Sequence, residues 1–283
     1  MVADRVWHRL GGIGVAVVFT IVMAVANYAG DPSAGQVLVA VVFAGGLRAA
    51  VGFSALGNMG ITGLWRQQMT WDVYRDRVWK PHEAALAAEA DQMRKVDARV
   101  TTFATEHGME RITLAVAGAR LGWWGAAESV RSSRTLGHIE LGHFWFFPEG
   151  AASLPHIVEH ELAHIQRNDS RTFVLMASAG AMSSVACAGL LALPHAAAGI
   201  TVLFAVCTAT SWWAELACDR IAARRCGRSV AVSALTHFLD DSRALPAPTR
   251  LVSTAIALRS HPPFRLRRWW IQHALAPASC PAD

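Results

Sequence analysis

The chain has 283 residues, 53% of them hydrophobic and only 17% charged, with a mean hydropathy of +0.29. Soluble domains carry about one quarter charged residues, so a membrane protein is the first expectation. The net charge is +5, but its arginines cluster beside apolar runs and form no basic stripe interleaved with aromatics, which argues against a nucleic-acid partner. The five cysteines show no CxxC spacing, and Cys187 and Cys207 lie within apolar runs. Neither a disulfide framework nor a cysteine metal site is therefore expected.

In chain order, four segments approach the roughly 20 apolar residues that a bilayer requires. These are Gly11–Ala29, Ala34–Phe53, Phe173–Leu193 and Ala196–Ala214. The alternative, buried helices of a soluble protein, is weakened because so few charges interrupt them. Asp31-Pro32 and Pro194-His195 are read as the short breaks within two helical hairpins. Neither break carries Lys or Arg, whereas Arg5 and Arg9, then Arg66, Arg75, Arg77 and Lys80, then Arg220, Arg224, Arg225 and Arg228 flank the outer ends. The positive-inside rule places both termini and the middle region in the cytoplasm, for a multi-pass protein of the plasma membrane whose partners include the lipid bilayer. Trp65, Trp71, Trp212 and Trp213 suit an interfacial aromatic belt. Ala24-Val25-Ala26 has the small-residue pattern of a signal cleavage site, but the run is long for a signal, so a retained anchor is expected.

Between the hairpins, Lys80 to Glu106 has apolar residues at helical spacing and is ended by Gly108. Arg111 to Ala117 has strand character, and the aromatic-rich Gly137 to Phe147 is a second strand candidate. Pro155 opens a new helix. After the fourth apolar segment, Glu215 to Arg225 is expected to continue as helix. Leu245 to Pro248 reads as a loop, and His261-Pro262-Pro263 as a turn before a basic C-terminal segment.

The Pro155 helix contains HIVEHELAHIQRND, His156 to Asp169. Within it His160-Glu161-Leu162-Ala163-His164 is an HExxH pattern. On a helix, positions i and i+4 share a face, so two imidazoles can grip one Zn²⁺ while the glutamate reaches a water beside it and takes its proton. His156 has the same spacing to His160 but no glutamate follows it, so it is expected to be a polar neighbour or a capped surface residue. A catalytic zinc takes three protein ligands, and Glu215-Leu216-Ala217-Cys218-Asp219 offers the third. Glu215 and Asp219 are again i, i+4, so one carboxylate can ligate while the other orients a histidine. Read alone, the pair could also be a solvated acidic patch beside Arg220. If the two apolar segments between the motifs form a hairpin, His160, His164 and Glu215 converge at the cytoplasmic mouth of the membrane.

Three pieces, HELAHIQRND, ELACDRIAA and SHPPFRLR, occur here in the order found in the HtpX-type and CAAX-prenyl-protease-type membrane zinc metalloproteases, and the chain resembles that gluzincin family. The resemblance implies a mainly α fold: four transmembrane helices with a cytoplasmic zincin-like α+β catalytic domain carrying a small sheet. It divides the chain into an N-terminal hairpin (residues 1–56), a catalytic region (57–171), a second hairpin (172–214) and a C-terminal catalytic part (215–283). It implies one Zn²⁺ per chain held by His160, His164 and Glu215, with Glu161 as general base and Asp219 orienting a ligand. It also implies that His261, with Arg267 beside it, faces the site to stabilise the developing oxyanion. Without the resemblance, His261 is equally a turn residue ahead of two prolines. The family's substrate-pairing strand matches RSSRTLGHIELGHFWFF by position only. The expected activity is zinc-dependent endopeptidase cleavage of protein or peptide substrates at the cytoplasmic membrane face, in the quality control of membrane proteins. HELAHIQRND and ELACD also resemble the β-lactam-sensor metalloproteases, which makes a signalling protease with one regulator as substrate the alternative. A non-catalytic membrane homologue is the third.

Overall fold

The computed structural model describes residues 69–70, 87–117, 127–258 and 260–274, and these are mainly helical with one small mixed sheet. The expected spans Gly11–Ala29 and Ala34–Phe53 lie outside the described residues. The chain divides into two compact units, Met1–Gly57 with Arg171–Thr210, and Asn58–Ser170 with Ser211–Asp283.

In the second unit, strands β1 (Met69–Thr70), β2 (Arg111–Ala117), β3 (Ala127–Arg131) and β4 (Leu136–Gly142) form a sheet of order β1-β2-β4-β3. β2 and β4 are parallel, with Arg111 opposite Leu136, while β3 pairs antiparallel with β4, with Arg131 opposite Gly137. Helix α1 (Ala87–Glu106) packs on this sheet by burying Met93, Val96, Val100 and Phe103, residues three or four apart on one face. Gly108, at φ 62°, ends the helix in the left-handed region that glycine enters without penalty.

The expected strand Gly137 to Phe147 stops early, and residues His143–Phe146 turn as a short 3₁₀ helix. Trp145 and Phe146 are both buried in the core, and a strand would have sent consecutive side chains to opposite faces. The short helix α2 (Pro148–Ala151) follows directly. A Cβ at Gly150 would overlap the Phe144 carbonyl and the Trp145 backbone, so only glycine fits there. The segment RSSRT is the β3–β4 turn: the Ser133 hydroxyl accepts from the backbone N–H of Thr135 and of Leu136. β3, Ala127–Arg131, is one edge of the sheet, opposite β1, and its half-buried residues give no clear alternation.

Helix α3 (Leu154–Arg167) carries the HExxH pattern, with proline in its first turn where the missing N–H costs nothing. It does not run on into the next apolar segment. Asn168 adopts φ 55°, ψ 42°, its N–H reaches back to the His164 and Ile165 carbonyls, and a new helix α4 (Asp169–Leu190) begins at once. Asparagine is the side chain that tolerates this left-handed cap best after glycine. Helix α5 (Leu193–Cys226) is unbroken over 34 residues. The break between α4 and α5 is therefore Leu191-Ala192, and Pro194 sits in the first turn of α5 instead of in the break. Helices α6 (Arg228–Ala244), α7 (Ala247–Ala257) and α8 (Phe264–Ala274) complete the chain. Pro248 thus opens a helix that the loop reading missed.

In the first unit, a Cβ on Gly180 would meet Cys207 Sγ at 3.0 Å, and one on Gly199 would meet Cys187 Sγ at 3.0 Å. Two glycines thus let α4 and α5 approach closely, the small-residue packing favoured between membrane helices. Among the described residues one helix, α5, is long and apolar enough to cross a membrane, and only 6% of its apolar window is buried. Ala179–Leu190 of α4 is a shorter apolar stretch.

Around α3, Glu159 is clamped from both sides. Arg99 of α1 donates from Nε and, at 3.1 Å, from Nη2, while Arg225 of α5 places Nη1 3.5 Å from Glu159 Oε2. Both guanidinium groups lie over the Phe103 ring, at 5.8 and 5.1 Å from its centroid. Glu159→Ala is expected to destabilise the second unit by about 1–3 kcal/mol, because it removes a buried acid from two half-buried guanidinium groups and leaves Arg99 with Glu106 and Arg225 with Gln166. Thermal unfolding of the detergent-solubilised chain, with Glu159→Gln as the intermediate case, measures this.

Candidate metal centre

Three groupings of side chains in this region could hold an ion: His160 with His164 and Glu215, His156 with His160 and Asp219, and His164 with Asp169 and Cys218. The first consists of the residues singled out by the sequence. His160 Nε2 is 3.2 Å from His164 Nε2, His160 Nε2 is 3.4 Å from Glu215 Oε2, and His164 Nε2 is 3.4 Å from Glu215 Oε1. A tetrahedral ion with ligand bonds of about 2.0–2.1 Å holds its ligands about 3.3–3.4 Å apart; the two imidazoles approach that spacing, and the Glu215 carboxylate faces them with one oxygen toward each. Glu215 Oε2 is moreover a buried carboxylate oxygen that accepts no hydrogen bond; Arg267 Nη1, 3.6 Å away, is the guanidinium nitrogen that faces it, which leaves it free to take a closer cation.

The other two groupings fit an ion poorly, because a guanidinium already holds each carboxylate. Arg267 donates from Nε to Asp219 Oδ2 at 2.6 Å and from Nη2 to Oδ1 at 2.7 Å. Arg167 Nε donates to Asp169 Oδ1 and Oδ2 at 3.2 and 3.0 Å. These two acids act on the histidines instead. Asp219 Oδ1 lies 3.0 Å from His160 Nδ1, and Asp169 Oδ2 lies 3.0 Å from His164 Nδ1. Each imidazole thus has a carboxylate on its Nδ1 side, which turns Nε2 toward the other histidine and raises its basicity. Cys218 is buried; that burial pushes its thiol up to about 11, and it donates to Asp169 Oδ2 at 3.3 Å.

Charge follows from this packing. Burial alone would push both histidines down, but Asp219 and Glu215 hold His160 above its ordinary value, and Asp169, Cys218 and Glu215 hold His164 well above. Burial would raise Glu215, yet His160 and His164 hold it well below the usual carboxylate range. Asp219 is held well below it by Arg267 and the histidines against the same burial. Positive charge is thus strongly favoured at the point where the two Nε2 atoms meet Glu215.

Several placements differ from the sequence expectations. His156 is no surface residue: it is 0% exposed, with Nε2 3.5 Å from Asp219 Oδ1. Burial pushes its imidazole down against the pull of Asp219. Arg267 is buried and locked on Asp219, with Nη1 3.6 Å from Glu215 Oε2. Helix α8 delivers it because Ile271, one turn later on the same face, is fully buried against Ala231 and Leu235 of α6. His261 comes to the rim: its side chain is half exposed, and its Nε2 lies 3.5 Å from Glu215 Oε1. Glu161 is buried and lies close enough to act electrostatically on both His261 and Arg267. Trp212, expected in an aromatic belt, donates from Nε1 to the Leu258 carbonyl at 2.8 Å, and Ser211 donates to the Ser260 carbonyl at 2.8 Å.

Comparison with family models, curated proteins and solved structures finds no match. What the site can do therefore follows from its own geometry. Asp169→Asn is expected to weaken divalent-metal affinity by about 10–100-fold while leaving the fold intact, since Arg167 is partly exposed and water can serve it. Competition with a chromogenic chelator measures the affinity, and circular dichroism checks the fold.

Proposed function

We propose that the protein is a membrane-embedded zinc endopeptidase. The observation that carries this reading is the convergence of His160 Nε2, His164 Nε2 and the Glu215 carboxylate, at separations of 3.2 to 3.4 Å with one carboxylate oxygen toward each imidazole, and with Glu161 one residue from the first ligand. His160 and His164 through Nε2, and Glu215 through its carboxylate, are the groups that would hold the ion, which supplies Lewis acidity when bound. The chain's own residues carry the remaining work. Glu161 takes a proton from the attacking water and passes it to the leaving amine. Asp219 and Asp169 keep the two imidazoles in one tautomer and one orientation. His261, at the exposed rim, donates toward the oxygen on which negative charge develops. Arg267 is committed to Asp219 by two hydrogen bonds, so its part is to hold that acid in place.

An extended peptide substrate suits the edge strand β3, whose neighbour across the sheet is β4 and which packs beside α3. The finer topology belongs to this proposal too: four spans, with the catalytic unit on the cytoplasmic side by the arginine flanks. The exposed, apolar α5 supports one of those spans.

The test is the Glu161→Gln variant in detergent or nanodiscs. It is expected to keep about one zinc per chain and to lose cleavage of an unfolded protein by at least about 100-fold. Undiminished cleavage by this variant would overturn the hydrolytic assignment.

A further inference from the structure

Helix α7 (Ala247–Ala257) has no place in the site, yet its residues are spaced with purpose. Pro248, Leu251 and Ala255 fall on one face, while Thr249, Arg250 and Thr254 fall on the other. Every residue of α7 whose surroundings the structure describes is exposed, and Leu251 reaches 72%. An apolar stripe of this kind calls for a cover.

Three observations name that cover. The far end of α7 is tied to α5, because Trp212 Nε1 donates to the Leu258 carbonyl and Ser211 to the Ser260 carbonyl, both at 2.8 Å. Helix α5 begins at Leu193, and a rise of 1.5 Å per residue brings Ser211 and Trp212 about 30 Å along it, the thickness of a bilayer's hydrocarbon layer. The ties therefore fall where lipid gives way to water. Charge and aromatics agree with that level: Trp213 and Trp269 are exposed, the Trp213 and Trp270 rings are 6.3 Å apart, and α8 adds Arg265 and Arg268 beside them. Exposed tryptophans with arginines are the residues that settle among lipid headgroups.

The geometry points to α7 as an interfacial helix that lies in the surface of the bilayer and positions His261. This inference rests on the membrane reading above. The positioning follows from the backbone: the N–H groups of Ser260 and His261 both bond to the Ala257 carbonyl, at 2.9 and 2.7 Å, so the last turn of α7 carries the His261 loop. His261 in turn stands 3.5 Å from Glu215. Lipid against Leu251 thus holds the helix, and the helix holds the rim histidine.

The experiment uses the full chain in nanodiscs of mixed anionic and zwitterionic lipid. Nitroxide labels are placed by Leu251→Cys and Thr254→Cys, with the signal of labelled wild type subtracted. Power saturation should show Leu251→Cys favouring oxygen over a nickel chelate and Thr254→Cys the reverse. Equal nickel access at both positions in membrane-embedded protein would overturn the inference and leave the protease reading untouched. Protein that stays monodisperse without detergent would overturn the membrane reading and this inference with it. For the positioning role, Leu251→Asp should lower kcat several-fold at unchanged zinc content and near-unchanged KM, and Leu251→Phe should restore it. Unchanged kcat in a Leu251→Asp chain would remove the link to His261.

Discussion

The pair between Asp219 and Arg267 is the contact on which the rest of the site depends. Asp219 is 0% exposed and Arg267 only 6%, and a carboxylate at that depth cannot stay ionised without a partner. Two hydrogen bonds, at 2.6 and 2.7 Å, supply it. The pair is 48 residues apart in sequence, so forming it docks α8 onto α5. The same Asp219 oxygen that takes one guanidinium N–H also faces His160 and His156. One buried charge thus fixes three elements relative to one another. Its net contribution to stability is small, because desolvation offsets most of the attraction. What it secures is a single arrangement.

The two histidines with ligand geometry are built alike. Each has an aspartate on its Nδ1 side, and each aspartate is held by an arginine, Asp219 by Arg267 and Asp169 by Arg167. Glu215 is the exception: its Oε2 accepts no hydrogen bond, and Arg267 Nη1 stands off at 3.6 Å. Around this point the formal charges are four carboxylates (Glu161, Asp169, Glu215 and Asp219) against two guanidinium groups (Arg167 and Arg267). Four minus two leaves a deficit of two positive charges when the histidines are neutral, which one divalent cation makes good. The raised histidines and the depressed Glu215 express the same deficit in protons.

Much of this was legible in the sequence because it depends on helical spacing. His160 with His164, and Glu215 with Asp219, are i, i+4 pairs, and that period survives any tertiary arrangement. Strand β2 was legible too, at its observed bounds, because its alternation is local. Of the two readings of His156, the polar neighbour matches its place beside Asp219 and the surface residue does not: spacing gives a direction around α3 and not what lies there, and only the docked α5 makes that face interior. Asp169 has no helical spacing to mark it, because it lies beyond the break at Asn168, a residue prone to the left-handed conformation that ends helices. Helix α7 is hidden by Pro246 just before it and Pro248 in its first turn, a pair that reads as a loop. Strand β3 has too little alternation to betray itself.

Helix α5 shows why a long apolar segment leads directly into a polar site. One face of it carries Ser211, Glu215, Cys218 with Asp219, Ala222 and Arg225, in steps of three or four residues. Read along the helix, these pin the His261 loop, face the two imidazoles, orient His160 and support Asp169, pack closely and then grip Glu159. Ala222 is fully buried. Because one unbroken helix bears every step, the register of α5 against α3 sets all of these distances together. The Glu159 clamp stands at one end of that face and the His261 loop at the other. The candidate ligand Glu215 lies between them, so neither end can shift along the helix without moving its carboxylate relative to the two histidines.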